Sequence, residues 1–152
     1  MRVRRRIWRD LGIDESVSFC VWRSGGSSDD AGIMTQDTLD EIRRLSHMEK
    51  MVAIGEIGLD YYWHKEEAEH KQQQEMFRAQ MDIAREEKLP FMIHSRDAAE
   101  DTLEIVKEYM KKDMSGGIIH CFSYSKEIAA EYLKMGLYLA LAACLLSKMQ
   151  RS

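Results

Sequence analysis

The feature that most constrains the fold of this chain is the alternation of short apolar runs with longer amphipathic segments. The runs have the length of strands that are covered on both faces, and they predict strands at residues 51–56, 91–94, 118–120 and 137–141. Strands that alternate with helices through short links are typical of a parallel sheet. Because its crossovers are right-handed, the carboxyl ends of its strands lie at one edge. We therefore predict an α/β fold.

The segments between these strands carry apolar residues at helical spacing. Residues 66–88, 97–112 and 126–135 each predict a crossover helix. An additional helix is expected to begin near Thr35 or Asp37, because either residue is a suitable N-cap.

The beginning of the chain is less regular. Five arginines fall within residues 1–9, which suits a nucleic-acid arm or a targeting segment, but acidic residues follow at once and favour a solvated arm. A short strand is predicted at residues 16–21, and residues 22–30 have the Gly- and Ser-rich composition of a flexible linker.

Composition indicates an ordinary globular protein. A chain of 152 residues can bury the core of one domain, and a formal net charge of −4 gives no overall attraction to nucleic acid or anionic membrane. No apolar run reaches the roughly 18–20 residues of a membrane span. The 3 cysteines are odd in number and widely spaced, which predicts reduced thiols and a cytoplasmic protein.

A side chain that can bind metal stands at the end of three successive predicted strands, namely Glu56, His94 and His120. A charged group at the end of a buried strand is costly unless it is paired or bound to metal. Carboxylate and neutral imidazole both bind Zn, Mn or similar ions, and such an ion could activate a water for hydrolysis. Each residue alone could be structural, but three matching positions favour a metal site.

Residues close to these strand ends form a predicted substrate-binding group of Arg96, Ser95 and Tyr61. Arg96 could hold a phosphate through two parallel hydrogen bonds. Tyr61 begins an aromatic turn with Tyr62 and Trp63, and these rings could stack bases or could pack over the end of the sheet.

Three other residues could have a chemical role, but we interpret them as structural. His64 and His70 lie in a charged stretch, where we expect them to be solvated. Cys121 follows His120 and could be a nucleophile, but no separate base is identifiable, so we expect a buried thiol.

Several motifs together resemble the TatD-type metal-dependent deoxyribonucleases of the amidohydrolase superfamily. They are VAIGEIGLDYYW from residue 52, FRAQ from residue 77, LPFMIHSRDAAEDTLEIV from residue 89 and GGIIHCFSYS from residue 116. The resemblance implies a partial TIM-type (β/α) barrel of about four parallel βα units. It also implies one or two divalent ions (Zn, Mg or Mn), DNA as the substrate, and Glu56, His94 and His120 as metal ligands.

The sequence departs from this family pattern. The family opens with a strand that carries a His-x-His pair, and it has a late aspartate that binds metal and helps to activate the water; this sequence has neither. We therefore expect a poorly ordered or atypical segment at residues 1–32, a partial barrel at residues 33–143 and an atypical tail at residues 144–152. Codons for the family segment Thr-Phe-Lys-Asn-Ala, read one base later, encode Leu-Ser-Lys-Met-Gln, which matches residues 146–150 and predicts an out-of-frame tail.

Three functions remain open at this point. The first is a TatD-type hydrolase that cleaves phosphodiester bonds of DNA with a metal-activated water. The second is a catalytically inactive fragment of such an enzyme, which would self-associate through its exposed sheet edges. The third is a nucleic-acid binder that uses the arginine-rich beginning of the chain. None of them involves a membrane.

Overall fold

The computed structural model describes residues 18–20, 36–48 and 51–141. In chain order, the elements of this part are β1 (Ser18–Cys20), α1 (Gln36–Ser46), β2 (Met51–Asp60), α2 (Glu67–Glu86), β3 (Phe91–Arg96), α3 (Ala99–Met110), β4 (Gly117–Phe122), α4 (Lys126–Lys134) and β5 (Tyr138–Leu141).

The strands form one parallel sheet in the order β1-β2-β3-β4-β5. Each strand therefore pairs with the next strand along the chain, as in an arc of a (β/α) barrel. This arrangement confirms the predicted α/β class and places the carboxyl ends of all strands at one edge. His94 and His120 are direct register partners across β3 and β4.

The core lies between the sheet and the helices. Strand β2 is buried along most of its length, as expected for an inner strand of a parallel sheet. Helix α2 contributes Phe77, Met81 and Ile83 to this core, and α3 contributes Val106, all of which are fully buried.

Helix boundaries follow local chemistry. Helix α2 begins after Glu66, whose side chain forms a capping box with Glu69, and it ends before Pro90, which cannot continue a helix. The helices are a few residues shorter at their ends than predicted, whereas β2 continues four residues beyond Glu56 to Asp60. Ile57 and Leu59 are buried in this extension.

The strand predicted at residues 16–21 is present as β1, which pairs with β2 although it belongs to the segment we expected to be poorly ordered or atypical. The arginine-rich start, the linker at residues 22–30 and the tail at residues 144–152 lie outside the described residues. Within the part that the structure describes, no helix is long and apolar enough to cross a membrane.

Candidate metal centre

Glu56, His94 and His120 come together at the carboxyl edge of the sheet. Glu56 Oε1 lies 3.5 Å from His94 Nδ1 and 3.8 Å from His120 Nε2. The Glu56 side chain is only 12% exposed, and both histidine side chains are mostly buried. One carboxylate oxygen therefore faces two imidazole rings in a region largely shielded from water.

A fourth side chain, Asp60, belongs to the same cluster and was missed by sequence reasoning. Its Oδ2 lies 3.7 Å from His94 Nε2, and the residue is almost fully buried. The Asp60 Oδ1 accepts a hydrogen bond of 3.1 Å from the backbone N–H of Tyr62. Glu56 was identified because it is a charged residue at the end of a buried run. Asp60 has the same property and could have been identified in the same way.

Gln73 of α2 fixes the backbone where β2 ends. The N–H of Asp60 donates to Gln73 Oε1 at 2.8 Å, and Gln73 Nε2 donates to the carbonyl oxygen of Asp60 at 3.1 Å. Both polar atoms of the backbone are thereby satisfied by one amide. Nothing in the sequence distinguishes Gln73 from the glutamines beside it.

The donor atoms of this cluster suit a divalent ion in their chemistry. His94 Nε2 is buried without a hydrogen-bond partner in the described part of the chain, and carboxylate with neutral imidazole is a common ligand set. The short distances nevertheless join these side chains only two at a time. Among residues 36–48 and 51–141, no group of three or more His, Cys, Asp and Glu side chains is placed so that it could hold a metal ion. The centre therefore stays a prediction.

The predicted substrate-binding residues have three different environments. The guanidinium carbon of Arg96 lies 3.7 Å from the centre of the Tyr62 ring. Ser95 is buried, and its hydroxyl is engaged at 2.8 Å by both Thr102 and Tyr124, so its hydrogen bonds are made within the protein. The hydroxyl of Ser95 is therefore occupied within the protein, and the substrate role of Arg96 stays a prediction.

Tyr61 is buried, and its hydroxyl donates to Asp101 at 2.7 Å while it accepts from Gln74 at 2.9 Å. Burial raises the pKa of Tyr61 to about 12, so this hydroxyl stays protonated at neutral pH. Tyr61 and Tyr124 both line a cavity of about 340 Å³, whose wall also includes Asp97, Glu100 and Asp101.

The structural interpretations of Cys121, His70 and His64 were all wrong. Cys121 is exposed rather than buried, because the backbone at this residue has a φ of 50°, and its Sγ lies 3.1 Å from His120 Nε2. His70 is not solvated: its ring stacks on Tyr61 with centres 3.6 Å apart, and its Nε2 contacts the carbonyl oxygen of His64 at 2.9 Å. The His64 side chain in turn lies 3.2 Å from Glu69 and is only 21% exposed.

The chain is similar in sequence to curated relatives. An uncharacterized metal-dependent hydrolase, YabD of Bacillus subtilis (strain 168), is 44% identical over 137 residues, which cover 90% of this chain and 52% of the relative. A 3'-5' ssDNA/RNA exonuclease TatD of Rahnella sp. (strain Y9602) is 34% identical over 124 residues, which cover 82% of this chain and 46% of the relative. The chain thus spans about half the length of these relatives.

Solved structures share the fold. A TatD homologue, YJJV from Escherichia coli K12, superimposes with a TM-score of 0.61 at 25% identity, over 69% of this chain and 40% of its own. A TatD family hydrolase from Entamoeba histolytica gives a TM-score of 0.59 at 28% identity, over 73% of this chain and 37% of its own. The family model described as TatD related DNase matches residues 15–152. The chain therefore belongs to the TatD related DNase family.

Proposed function

We propose that this chain is a metal-dependent hydrolase that cleaves phosphodiester bonds of nucleic acid, with Glu56, His94 and His120 as the metal ligands. The observation that carries this proposal is the position of Glu56 Oε1, which lies within 3.8 Å of a ring nitrogen of each histidine. The names of the relatives, a metal-dependent hydrolase and an ssDNA/RNA exonuclease, support the same reaction class.

Each nearby residue has a distinct part in this proposal. A divalent ion, when bound, lowers the pKa of a water and polarises a phosphoryl oxygen. Asp60 faces the Nε2 side of His94 and restricts the orientation of that ring. Arg96 binds a substrate phosphate with its guanidinium group. The Tyr61 hydroxyl keeps its proton and donates a hydrogen bond to Asp101, so Tyr61 is not the general base.

A second function, a catalytically inactive member of the family, is favoured by two observations. The sequence contains no His-x-His pair, and no complete metal-binding group is found among the described residues. In this alternative, the contacts between Glu56 and the two histidines are a remnant that stabilises the edge of the sheet. The odd number of widely spaced cysteines supports a cytoplasmic location in either case.

A nuclease assay on the purified chain separates these two functions. We expect hydrolysis of a single-stranded oligonucleotide that requires added Zn²⁺, Mg²⁺ or Mn²⁺, and a loss of about 100-fold or more in Glu56→Ala and His120→Ala, because each variant removes one ligand. His47→Ala is the matched control, since His47 is exposed at the end of α1 and contacts the carbonyl oxygen of Arg43. Absence of hydrolysis by the unmodified chain with every ion would favour the inactive protein.

A further inference from the structure

We propose that Tyr62, Trp63 and Arg96 form a binding platform for an unpaired base and its phosphate in single-stranded nucleic acid. This proposal rests on the proposed function, from which it takes nucleic acid as the polymer. It concerns binding, which is a separate step from hydrolysis. We call these three residues the aromatic platform.

The two rings of the platform face solvent. Trp63 is 68% exposed and Tyr62 is 42% exposed. Their ring centres lie 4.6 Å apart and their planes are nearly perpendicular, at 88°. Large aromatic surface left in water is unfavourable unless a ligand covers it, and single-stranded nucleic acids offer the flat faces of unpaired bases for this purpose.

The platform is linked through Asp60 to His94, one of the proposed metal ligands. The backbone N–H of Tyr62 donates to Asp60 Oδ1 at 3.1 Å, and the other oxygen of Asp60 faces His94. Arg96 stands two residues beyond His94, at the last position of β3. A strand bound to the platform would therefore run past the edge of the sheet where the proposed ligands lie.

The charge of Arg96 is available to an anionic ligand. Its guanidinium carbon lies 3.7 Å from the centre of the Tyr62 ring and 5.7 Å from that of Trp63. No carboxylate in the described part of the chain forms an ion pair with Arg96, whereas each of the other described arginines has a carboxylate within 4 Å, namely Arg43, Arg44, Arg78 and Arg85. A guanidinium that stacks on a ring keeps its N–H edge for a phosphate.

Lys65 adds a second cation to the same surface. Its Nζ lies 5.5 Å from the centre of the Tyr62 ring, and it too forms no ion pair with a described carboxylate. Aromatic faces combined with uncompensated cations are the features by which proteins hold single strands without reading their sequence. A duplex hides its base faces, so the platform favours single strands over duplexes.

The test is equilibrium binding of a fluorescently labelled oligo(dT) to the 152-residue chain in EDTA, where hydrolysis cannot interfere. We expect Trp63→Ala to weaken binding about 10-fold or more, because one stacked base is lost, and Trp63→Phe to retain most of the affinity. In a plot of log affinity against log salt concentration, Arg96→Gln should make the slope less steep by about 0.7. This is the change expected when one phosphate contact is lost. A labelled oligo(rU) should behave in the same way.

Tyr138→Ala is the matched control, because Tyr138 is 75% exposed and lies at the opposite, amino end of the sheet. It should bind like the unmodified chain, and a duplex of equal length should bind more weakly than the single strand. Equal affinity of Trp63→Ala and the unmodified chain, or a preference for the duplex, would overturn the platform. Platform-dependent binding in EDTA, together with no hydrolysis in the nuclease assay with added Zn²⁺, Mg²⁺ or Mn²⁺, would instead contradict the proposed function and leave the platform standing.

Discussion

Gly58 lets β2 approach β3 closely beside Glu56 and His94. It has a φ of +132°, and a Cβ atom at this position would lie 2.0 Å from the carbonyl oxygen of His94. We therefore expect Gly58→Ala to lower the free energy of unfolding by about 3 kcal/mol or more, since backbone would have to move against backbone. Urea unfolding followed by circular dichroism measures this change.

Gly136 provides the control for this prediction. Its φ of +78° is also unfavourable for an L-residue, but nothing lies within 4 Å of an added Cβ. Gly136→Ala should therefore cost only about 1–2 kcal/mol. If the two substitutions cost the same, the close approach of β2 and β3 at Gly58 would be contradicted.

Individual residues were predictable where one local signal sufficed. Glu56, His94 and His120 are charged or ionisable residues at the ends of apolar runs, and the rule that parallel strands end at one edge was enough to bring them together. Cys121 was placed on the wrong side because the positive φ of a non-glycine residue leaves no trace in the sequence. The stacking of His70 on Tyr61 joins two elements across a turn, which helical periodicity does not detect.

Between elements, the amide of Gln73 is expected to hold the end of β2 against α2. Gln73→Ala removes two hydrogen bonds to the backbone of Asp60, so we expect a loss of about 1–3 kcal/mol in the free energy of unfolding. Gln72→Ala changes an exposed neighbour on the same helix and should alter stability by less than about 0.5 kcal/mol. Chemical unfolding of both variants checks this, and equal losses would contradict the role of Gln73.

Helices α3 and α4 are joined by an ion pair whose contribution should depend on pH. Glu131 of α4 lies 2.6 Å from Lys107 of α3 and 2.9 Å from Lys134. The hydrogen bonds from Lys107 and Lys134 lower the pKa of Glu131 from its usual 4.5 to about 2. A carboxyl group whose pKa is lowered on folding stabilises the protein above its unfolded pKa and loses this contribution as the pH falls through the folded value.

Glu131→Gln should therefore make the free energy of unfolding less sensitive to acid. Between pH 4.5 and about 2, the unmodified chain should lose more stability than the variant. Glu104→Gln removes an exposed carboxyl group from α3 and should keep the unmodified pH dependence. Thermal unfolding across this pH range measures the difference, and identical profiles for the unmodified chain and Glu131→Gln would contradict the ion pair.

At the level of elements, the sequence predicted the type and order of the segments from residue 36 to residue 141 and missed their ends. The amphipathic periods identified the helices because the buried residues of α2 and α3 repeat at helical spacing. Strand β2 was predicted too short, since Glu56 was taken as its end. In the structure Ile57 and Leu59 are buried and pair with β3, so packing against the neighbouring strand extends β2 to Asp60.

For the whole molecule, we propose association with a second copy of the chain through the edge strand β5. In the described region β5 pairs only with β4, and a strand at the edge of a sheet can pair with a strand of a second chain. Leu141 on this strand is half exposed. We expect a concentration-dependent dimer by light scattering, and Leu141→Lys should shift it toward monomer.

Leu133→Lys places the same charge on an exposed position of helix α4 rather than on strand β5, and it should leave the dimer intact. A chain that stays monomeric at every concentration would contradict the association. So would a dimer that both substitutions weaken equally, because the contact would then not depend on β5.

We propose that Glu56, His94 and His120 together hold a divalent ion, and the metal content of the purified chain tests this proposal. After dialysis against Zn²⁺ or Mn²⁺, mass spectrometry of the metal should find about one ion or more for each unmodified chain. Glu56→Ala, His94→Ala and His120→Ala should each lose most of this metal. His64→Ala should retain it, because the His64 side chain contacts Glu69. A chain that binds no metal, or three variants that bind as much as the unmodified protein, would contradict the account.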